Sequence, residues 1–459
     1  MLGIHLAELT SANDQGITDA VEVVAGLDAA LVDGLGRLGP DAAEALSALG
    51  AAVSGSPLAG AVDSAIAAVR DGRIDLEALA ALAAARAALL GAVHDALLAR
   101  FDEAVGRERG LPAAAPIAAA AGGAVTGCRA WLQELAINGW RGVDHDLVAA
   151  ADRIIETLWS APRSRRSAVL LDGFAAELRA AAPIATMDRI PARRWADLWT
   201  RALLLTWRGE DTAEPETVTG RLLVVGVDVH EHGTAVQAQA HGVLEVNAGP
   251  ARLVRVSIGA AKVDSIVGPA VWRVLGEHPR LLRALAERRA ITVTDMPLTA
   301  TGDLLWIDER AELAEEADPF TTARVALPEA VAAALAPLDR HPVHLGEPVL
   351  VENYRFEDGA LVVDGHRLPV ELDRLPRCGP LTPELVAVST ACIGLVRWDS
   401  DGWRVRPLGL EYPVKKTAAY AHTGDWALGP TDPKAAKALA KSGDSVAVLR
   451  ERAGRLLRK

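Results

Sequence analysis

The spacing of apolar positions changes once along the chain, near residue 217. Upstream, apolar residues recur every three or four positions, the period of a helix with one buried face. Ile17, Val21, Val24, Leu27, Leu31, Leu35 and Leu38 form one such stripe, with Asp19, Glu22 and Asp33 placed off it. Gly39-Pro40-Asp41 breaks that helix and starts another, and Ser54-Gly55-Ser56-Pro57 breaks the next. A longer helix is predicted from an N-cap at Asp75, through Leu76, Leu79, Leu90, Leu97 and Phe101, to a stop at Gly110-Leu111-Pro112. Short connections make such helices antiparallel neighbours in a bundle or helical array. Residues 111–127, rich in Ala and Gly, read as a linker or small-residue packing segment before a second helical block. That block carries Trp131, Trp140, Trp159, Trp195, Trp199 and Trp207. On the helix that opens after Pro191, Trp195, Trp199, Leu203 and Trp207 fall four apart and form one stripe. The stripe is either core or a protein interface, where large aromatics concentrate binding energy.

Residues 209–217 form a polar, Pro-containing linker, and beyond them the pattern alternates with the period of a strand. Residues 221–231, 235–246 and 252–258 predict a three-stranded meander, with turns around His232-Gly233-Thr234 and Asn247-Ala248-Gly249-Pro250. A helix is expected over 269–289, a strand over 291–294 and another helix over 328–338. A second β-rich segment, 347–372, has turn signals at Glu357-Asp358-Gly359 and Asp364-Gly365. Residues 391–399 and 403–408 make a final hairpin in which Trp398 and Trp403 pair across the strands. Local hairpins favour antiparallel pairing in a barrel-like or sandwich-like unit over a doubly wound sheet. The expected fold class is multidomain α+β: an acidic helical block over 1–110, a Trp-rich helical block over 128–208, an α+β domain over 218–412 and a basic helical tail over 413–459.

Half of the 459 residues are apolar, which excludes a disordered chain and supplies a sizeable core. The nearest approaches to a membrane span are 76–93, which carries Glu77 and Arg86, and 112–127, which is short and broken by Pro116. The first residues lack a basic region and reach Glu8 early, unlike a signal peptide, so the expected location is the cytoplasm. Cys128, Cys378 and Cys392 are too scattered for a disulfide framework or a zinc knuckle and are expected to be reduced and buried. An Ala- and Arg-rich, Lys-poor composition points to a GC-rich bacterial genome. Against a net charge of −12, residues 413–459 hold ten basic and four acidic residues, whereas residues 1–127 hold seven basic and sixteen acidic ones. Six of the seven lysines lie in the tail, with Lys262 elsewhere.

The meander offers a candidate metal site. Alternation puts Asp228, His230 and His232 on one face of a strand and Val225, Val227 and Val229 on the other. If paired residues sum to 467, Gln239 opposes Asp228, Gln237 opposes His230, and His241 lies at the polar end of the neighbouring strand. Neutral imidazoles and a carboxylate suit zinc or iron, and a solvated sheet face explains the same pattern. A one-residue slip of register removes His241 from that face. Asp144-His145-Asp146 resembles a ligand triplet, but helix capping accounts for it. Asp399-Ser400-Asp401-Gly402 echoes the start of a calcium loop without the rest of its ligands, and a hairpin turn accounts for it. The common phosphate-loop, dinucleotide, nucleophile-elbow and zincin signatures do not occur in the sequence.

Lys434, Lys437 and Lys441 share one face of a helix opened by Asp432-Pro433, and a second helix from Asp444 adds arginines. Such an arm suits an acidic protein partner or another copy of the chain; nucleic acid is a further alternative, with Tyr412, Tyr420 and Trp426 nearby for stacking. The expectation is therefore a non-enzymatic scaffold, adaptor or regulatory subunit whose interaction residues are Trp195, Trp199, Trp207 and the three lysines. A metal-binding protein or metal-dependent enzyme using Asp228, His230, His232 and His241 is the alternative. No cofactor is indicated, and no membrane partner is expected.

Overall fold

The computed structural model describes residues 1–11, 15–110, 123–159, 165–208, 214–247, 249–399 and 402–441. The chain is multidomain α+β, with helices concentrated in the N-terminal half and sheets in the C-terminal half.

The first half folds as α1 (Gly3–Ser11), α2 (Gln15–Asp33), α3 (Pro40–Ala52), α4 (Ala59–Arg70), α5 (Leu76–Val105), α6 (Gly123–Asn138), α7 (His145–Trp159), α8 (Arg165–Ala181) and α9 (Ala192–Arg208). Local chemistry sets several of these boundaries. Asp75 Oδ1 accepts the Ala78 amide at 2.8 Å and caps α5, while Gly106 closes it in the left-handed region at φ 67°. Asp144 Oδ1 accepts the Leu147 amide at 2.8 Å, so this residue of the triplet is a cap. We predict that Asp75→Ala costs about 1 kcal/mol, read from the shift of a urea unfolding midpoint.

The division expected at 111–127 does not divide the core. Leu31, Leu46 and Leu79 from the first block pack in one cluster with Trp131, Trp140, Phe174, Trp195 and Trp199 from the second. The backbones meet at Gly139, where an added Cβ would lie 2.2 Å from the Gly34 nitrogen. In contrast, α1 and the end of α5 leave this cluster and pack on the second sheet through Leu6, Leu9, Leu97 and Phe101. By length and composition α5 is apolar enough to span a bilayer, yet its side chains fill these two protein cores.

The second half begins with β1 (Glu216–Glu231), β2 (Ala235–Val246) and β3 (Arg252–Ala261), continues through α10 (Val271–Val274) and α11 (Pro279–Glu287), and adds β4 (Arg289–Leu298), β5 (Asp303–Leu304) and β6 (Ala311–Glu316). The strands run in the order β1-β2-β3-β5-β4, and β4 pairs back onto β1, closing a barrel; β6 flanks β4. All these pairings are antiparallel except β3 with β5. The helix expected over 269–289 is broken at Gly276 to His278, because Pro279 restarts it and biases the preceding residue away from helical geometry.

After α12 (Pro319–Val325) come β7 (Glu347–Glu352), β8 (Arg355–Glu357), β9 (Ala360–Val363), β10 (His366–Pro369), α13 (Pro383–Val388), β11 (Ala391–Asp399), β12 (Gly402–Val414), β13 (Thr417–His422) and α14 (Pro433–Lys441). A second sheet has the order β13-β12-β11-β7, and β10-β9-β8 form a third. Trp398 pairs with Trp403, as the hairpin pattern predicts. Two expectations are corrected. The stretch 328–338 is not a helix; Val331 and Ala332 bridge to Arg252 and Arg109, so tertiary backbone pairing overrides the local helical pattern. Nor is 413–422 tail: β12 runs to Val414, and β13 pairs with it, with Ala421 and His422 buried.

Candidate functional site

The barrel and the second sheet touch where β1 carries a bulge at Val225, between Val224 and Gly226. The bulge reverses the side-chain alternation. Val225 therefore joins Val243, Phe320, Leu350 and Ile393 in the core between the two sheets, whereas Val227 and Val229 fill the barrel. Gly226 allows the approach: an added Cβ there would lie 2.7 Å from the Leu408 side chain of β12. Asp228 opposes Gln239 and His230 opposes Gln237, as the sequence register predicts. The face is solvated only in part: Arg406 of β12 covers it at Asp228, whereas His230 is half-buried and His232 and Gln237 are exposed.

Asp228 is 3% exposed, and its Oδ2 accepts from Arg406 Nη1 at 2.9 Å and lies 3.1 Å from His230 Nε2. Burial alone would raise its pKa, but the hydrogen bond with His230 and the Arg406 charge hold it well below the usual carboxylate range. Arg406 bonds onward to Glu371 at 2.7 Å. His241 is buried with Nε2 unpartnered among the described residues, and burial, helped by Arg255, lowers its pKa to about 4. His232 is exposed at the strand end. The four residues are thus not gathered around one point; the guanidinium of Arg406 occupies the cationic position beside Asp228. Among the described residues no three His, Cys, Asp or Glu side chains form a group suited to a metal ion.

Two cavities flank this Asp228–Arg406–Glu371 ladder. One, of about 490 Å³, is lined by His230, His232, Lys262, Arg377 and Cys378. The His230–Asp228 pair has the arrangement of a base and its orienting carboxylate, but no activated thiol accompanies it. Burial pushes the Cys378 pKa up to about 12, and all three cysteines are free and buried. The other cavity, of about 380 Å³, lies between α9, the 341–344 turn and the ends of β11 and β12; Arg374 and Arg406 line both cavities. Its histidines are engaged. His341 Nδ1 accepts the Val343 amide at 3.0 Å while Nε2 lies 3.1 Å from Asp197 Oδ1. His344 Nδ1 lies 2.8 Å from the Asp339 carbonyl and Nε2 3.4 Å from Arg201 Nη1. The arginine lining was not identified from sequence, because its members come from distant segments; the Arg193-Arg194 doublet was the one local signal.

The tryptophan stripe is corrected as an interaction surface. Trp195 is buried edge-on against Trp140 with centroids 6.2 Å apart, and Trp199 is buried with its indole N–H donated to the Leu132 carbonyl at 2.9 Å. Trp207 alone of the three reaches solvent, at 39% exposure, with the Arg129 guanidinium 4.3 Å above its ring. We predict that Trp207→Ala changes stability by no more than about 1 kcal/mol in thermal unfolding.

The lysines stand as the sequence places them. α14 opens with the Ala435 amide bonded to Asp432 Oδ1 at 2.7 Å, carries Lys434, Lys437 and Lys441 exposed, and buries none of its residues. The second tail helix expected from Asp444 lies outside the described residues, as do the Ser400-Asp401 turn and most of the 111–127 segment. No protein-family model, curated protein sequence or solved structure matches the chain.

Proposed function

We propose that this protein is a non-enzymatic scaffold, adaptor or regulatory subunit of a cytosolic bacterial multiprotein assembly, and that α14 is the arm by which it holds an acidic protein partner. The observation that carries this reading is that α14 buries none of its residues while presenting three lysines on one face. A helix of nine residues gains little from propensity alone, since isolated helices shorter than about 12–15 residues are marginal in water. Its Ala435, Ala436 and Leu439 side is half-buried, and a partner that pairs with the lysines on the opposite face would stabilise it further. The charge of the arm selects acidic surfaces and speeds their encounter.

The test is affinity capture from the native host with the intact chain and with a chain ending at residue 430. That truncation keeps β13 and the Thr423–Trp426 turn, whereas a cut before Pro413 would remove a paired strand. The expected result is a stoichiometric acidic partner on the intact chain and its loss from the truncated one. A free monomer that captures nothing, or capture indifferent to the truncation, would overturn the proposal. Light scattering of the purified chain separates a second copy from a different protein.

A further inference from the structure

We propose that the 380 Å³ cleft between α9 and the second sheet is a binding site for a small phosphorylated ligand. Its lining holds six arginines, Arg193, Arg194, Arg201, Arg374, Arg397 and Arg406, against three carboxylates, on a chain whose net charge is −12. The local balance therefore opposes the global one.

The arginines outnumber the carboxylates two to one. Asp197 Oδ1 is engaged by Arg86 and His341, and Arg193, Arg194 and Arg201 lie within about one turn of Asp197 on α9. Glu371 is shared, 2.7 Å from Arg406 and 3.8 Å from Arg397, so two guanidinium groups lean on one acid. Crowding of this kind raises the cost of a buried cation, and burial with the Arg406 charge lowers the Arg397 pKa. A bound anion relieves that cost. Arg194 and Arg201 have partners outside the lining, Glu177 and Asp339. Arg374 has only Asp373, 4.0 Å away, and both are exposed. The Arg193 guanidinium makes no hydrogen bond or ion pair among the described residues, although it is half-buried at the cleft.

Guanidinium groups bind phosphoryl oxygens through paired N–H donors, which makes phosphate the ligand chemistry this lining suits best. The volume lies within the range of small-molecule sites, and Leu198, Pro342, Val343 and Trp398 give an apolar wall for an organic portion. Both imidazoles have both nitrogens engaged, which fits binding better than proton transfer. Because the cleft is walled by α9 on one side and by β11 and β12 on the other, an occupant would clamp the helical half to the second sheet.

The experiment titrates inorganic pyrophosphate into the intact protein by calorimetry, with sodium chloride at matched ionic strength as the control. It is repeated on an Arg193→Gln, Arg374→Gln double variant and on Arg37→Gln, an exposed arginine outside the cleft. Saturable binding to the natural protein, weakened at least about tenfold in the double variant and unchanged in Arg37→Gln, is expected. Neither cleft arginine holds a close internal ion pair, so the double variant should melt at the natural temperature without pyrophosphate. Heat that is absent at millimolar pyrophosphate, or binding equal in all three proteins, would overturn the proposal. Comparison with a nucleoside diphosphate and inorganic phosphate then separates an organic phosphate from the free ion.

Discussion

Arg86→Ala should lose about 3–5 kcal/mol of unfolding free energy at neutral pH, the largest single effect we expect. Arg86 is 1% exposed in the middle of α5, where its Nε and Nη2 hold Asp28 at 2.6 and 3.0 Å and its Nη1 reaches Asp197 of α9 at 2.5 Å. One guanidinium therefore joins three helices inside the helical core. Removing it strands two poorly solvated carboxylates, and the cost is theirs more than the lost attraction. The sign of the pH dependence follows. Burial opposes ionisation of Asp197, but His341 and Arg86 win and hold its pKa at about 2, from an ordinary value of 3.8. A depressed carboxylate contributes stability above pH 3.8 that is lost as pH falls toward 2. Without Arg86 the stranded carboxylates take up protons more readily, so the gap between variant and natural protein should narrow in acid. Urea titrations at pH 7 and pH 4 measure both; a loss below about 1 kcal/mol at pH 7 would show that the triad is not a structural joint. The Asp28→Ala, Arg86→Ala double variant should lose less than the sum of the singles, because it strands one carboxylate fewer.

Asp228→Asn should cost about 3 kcal/mol, because this carboxylate bonds the barrel to the second sheet through Arg406. Its pKa lies below the ordinary value of 3.8, so its stabilisation is complete above that pH and is lost as pH falls through the folded value. The natural protein should therefore lose stability more steeply than Asp228→Asn below pH 4. Acid has a second effect through two histidines. His241 and His422 are buried, and burial foremost lowers each pKa to about 4 from 6.5. The unfolded chain binds more protons than the folded one between those values, so stability should fall as pH drops from 6.5 toward 4. His241→Gln should flatten that part of the profile, measured by thermal unfolding at half-unit pH steps. A profile unchanged by the substitution would contradict a buried neutral imidazole.

Strong local chemistry was legible in the sequence. The Asp75 and Asp432 caps, the proline-opened α9 and α14, and the pairing of Asp228 with Gln239 all follow from side chains near one another in the chain. Three other features depend on residues far apart. The bulge at Val225 cannot be read from period-two alternation, yet it decides that Asp228 faces β12 instead of water. Residues 328–338 have the alanines and spacing of a helix, but Val331 finds its backbone partners on the edge of β3. The arginine cleft draws Arg193 from a helix, Arg374 from a turn and Arg397 and Arg406 from neighbouring strands, so it has no motif. The tryptophan stripe shows the same ambiguity. Spacing places Trp195, Trp199 and Trp207 on one face, but only the third dimension distinguishes a face that meets Trp140 from one that meets solvent.

The claim that α14 holds an acidic partner is tested most directly with the captured partner in purified form. Its affinity for the intact chain and for a Lys434→Glu, Lys437→Glu, Lys441→Glu variant is measured at low and high salt. The three lysines are exposed and form no part of any core, so the variant should unfold like the natural protein. Binding to the intact chain should weaken with salt, and the variant should bind at least about tenfold more weakly at low salt. Equal affinity of the two proteins across the salt range would contradict the assignment of α14 as the docking arm.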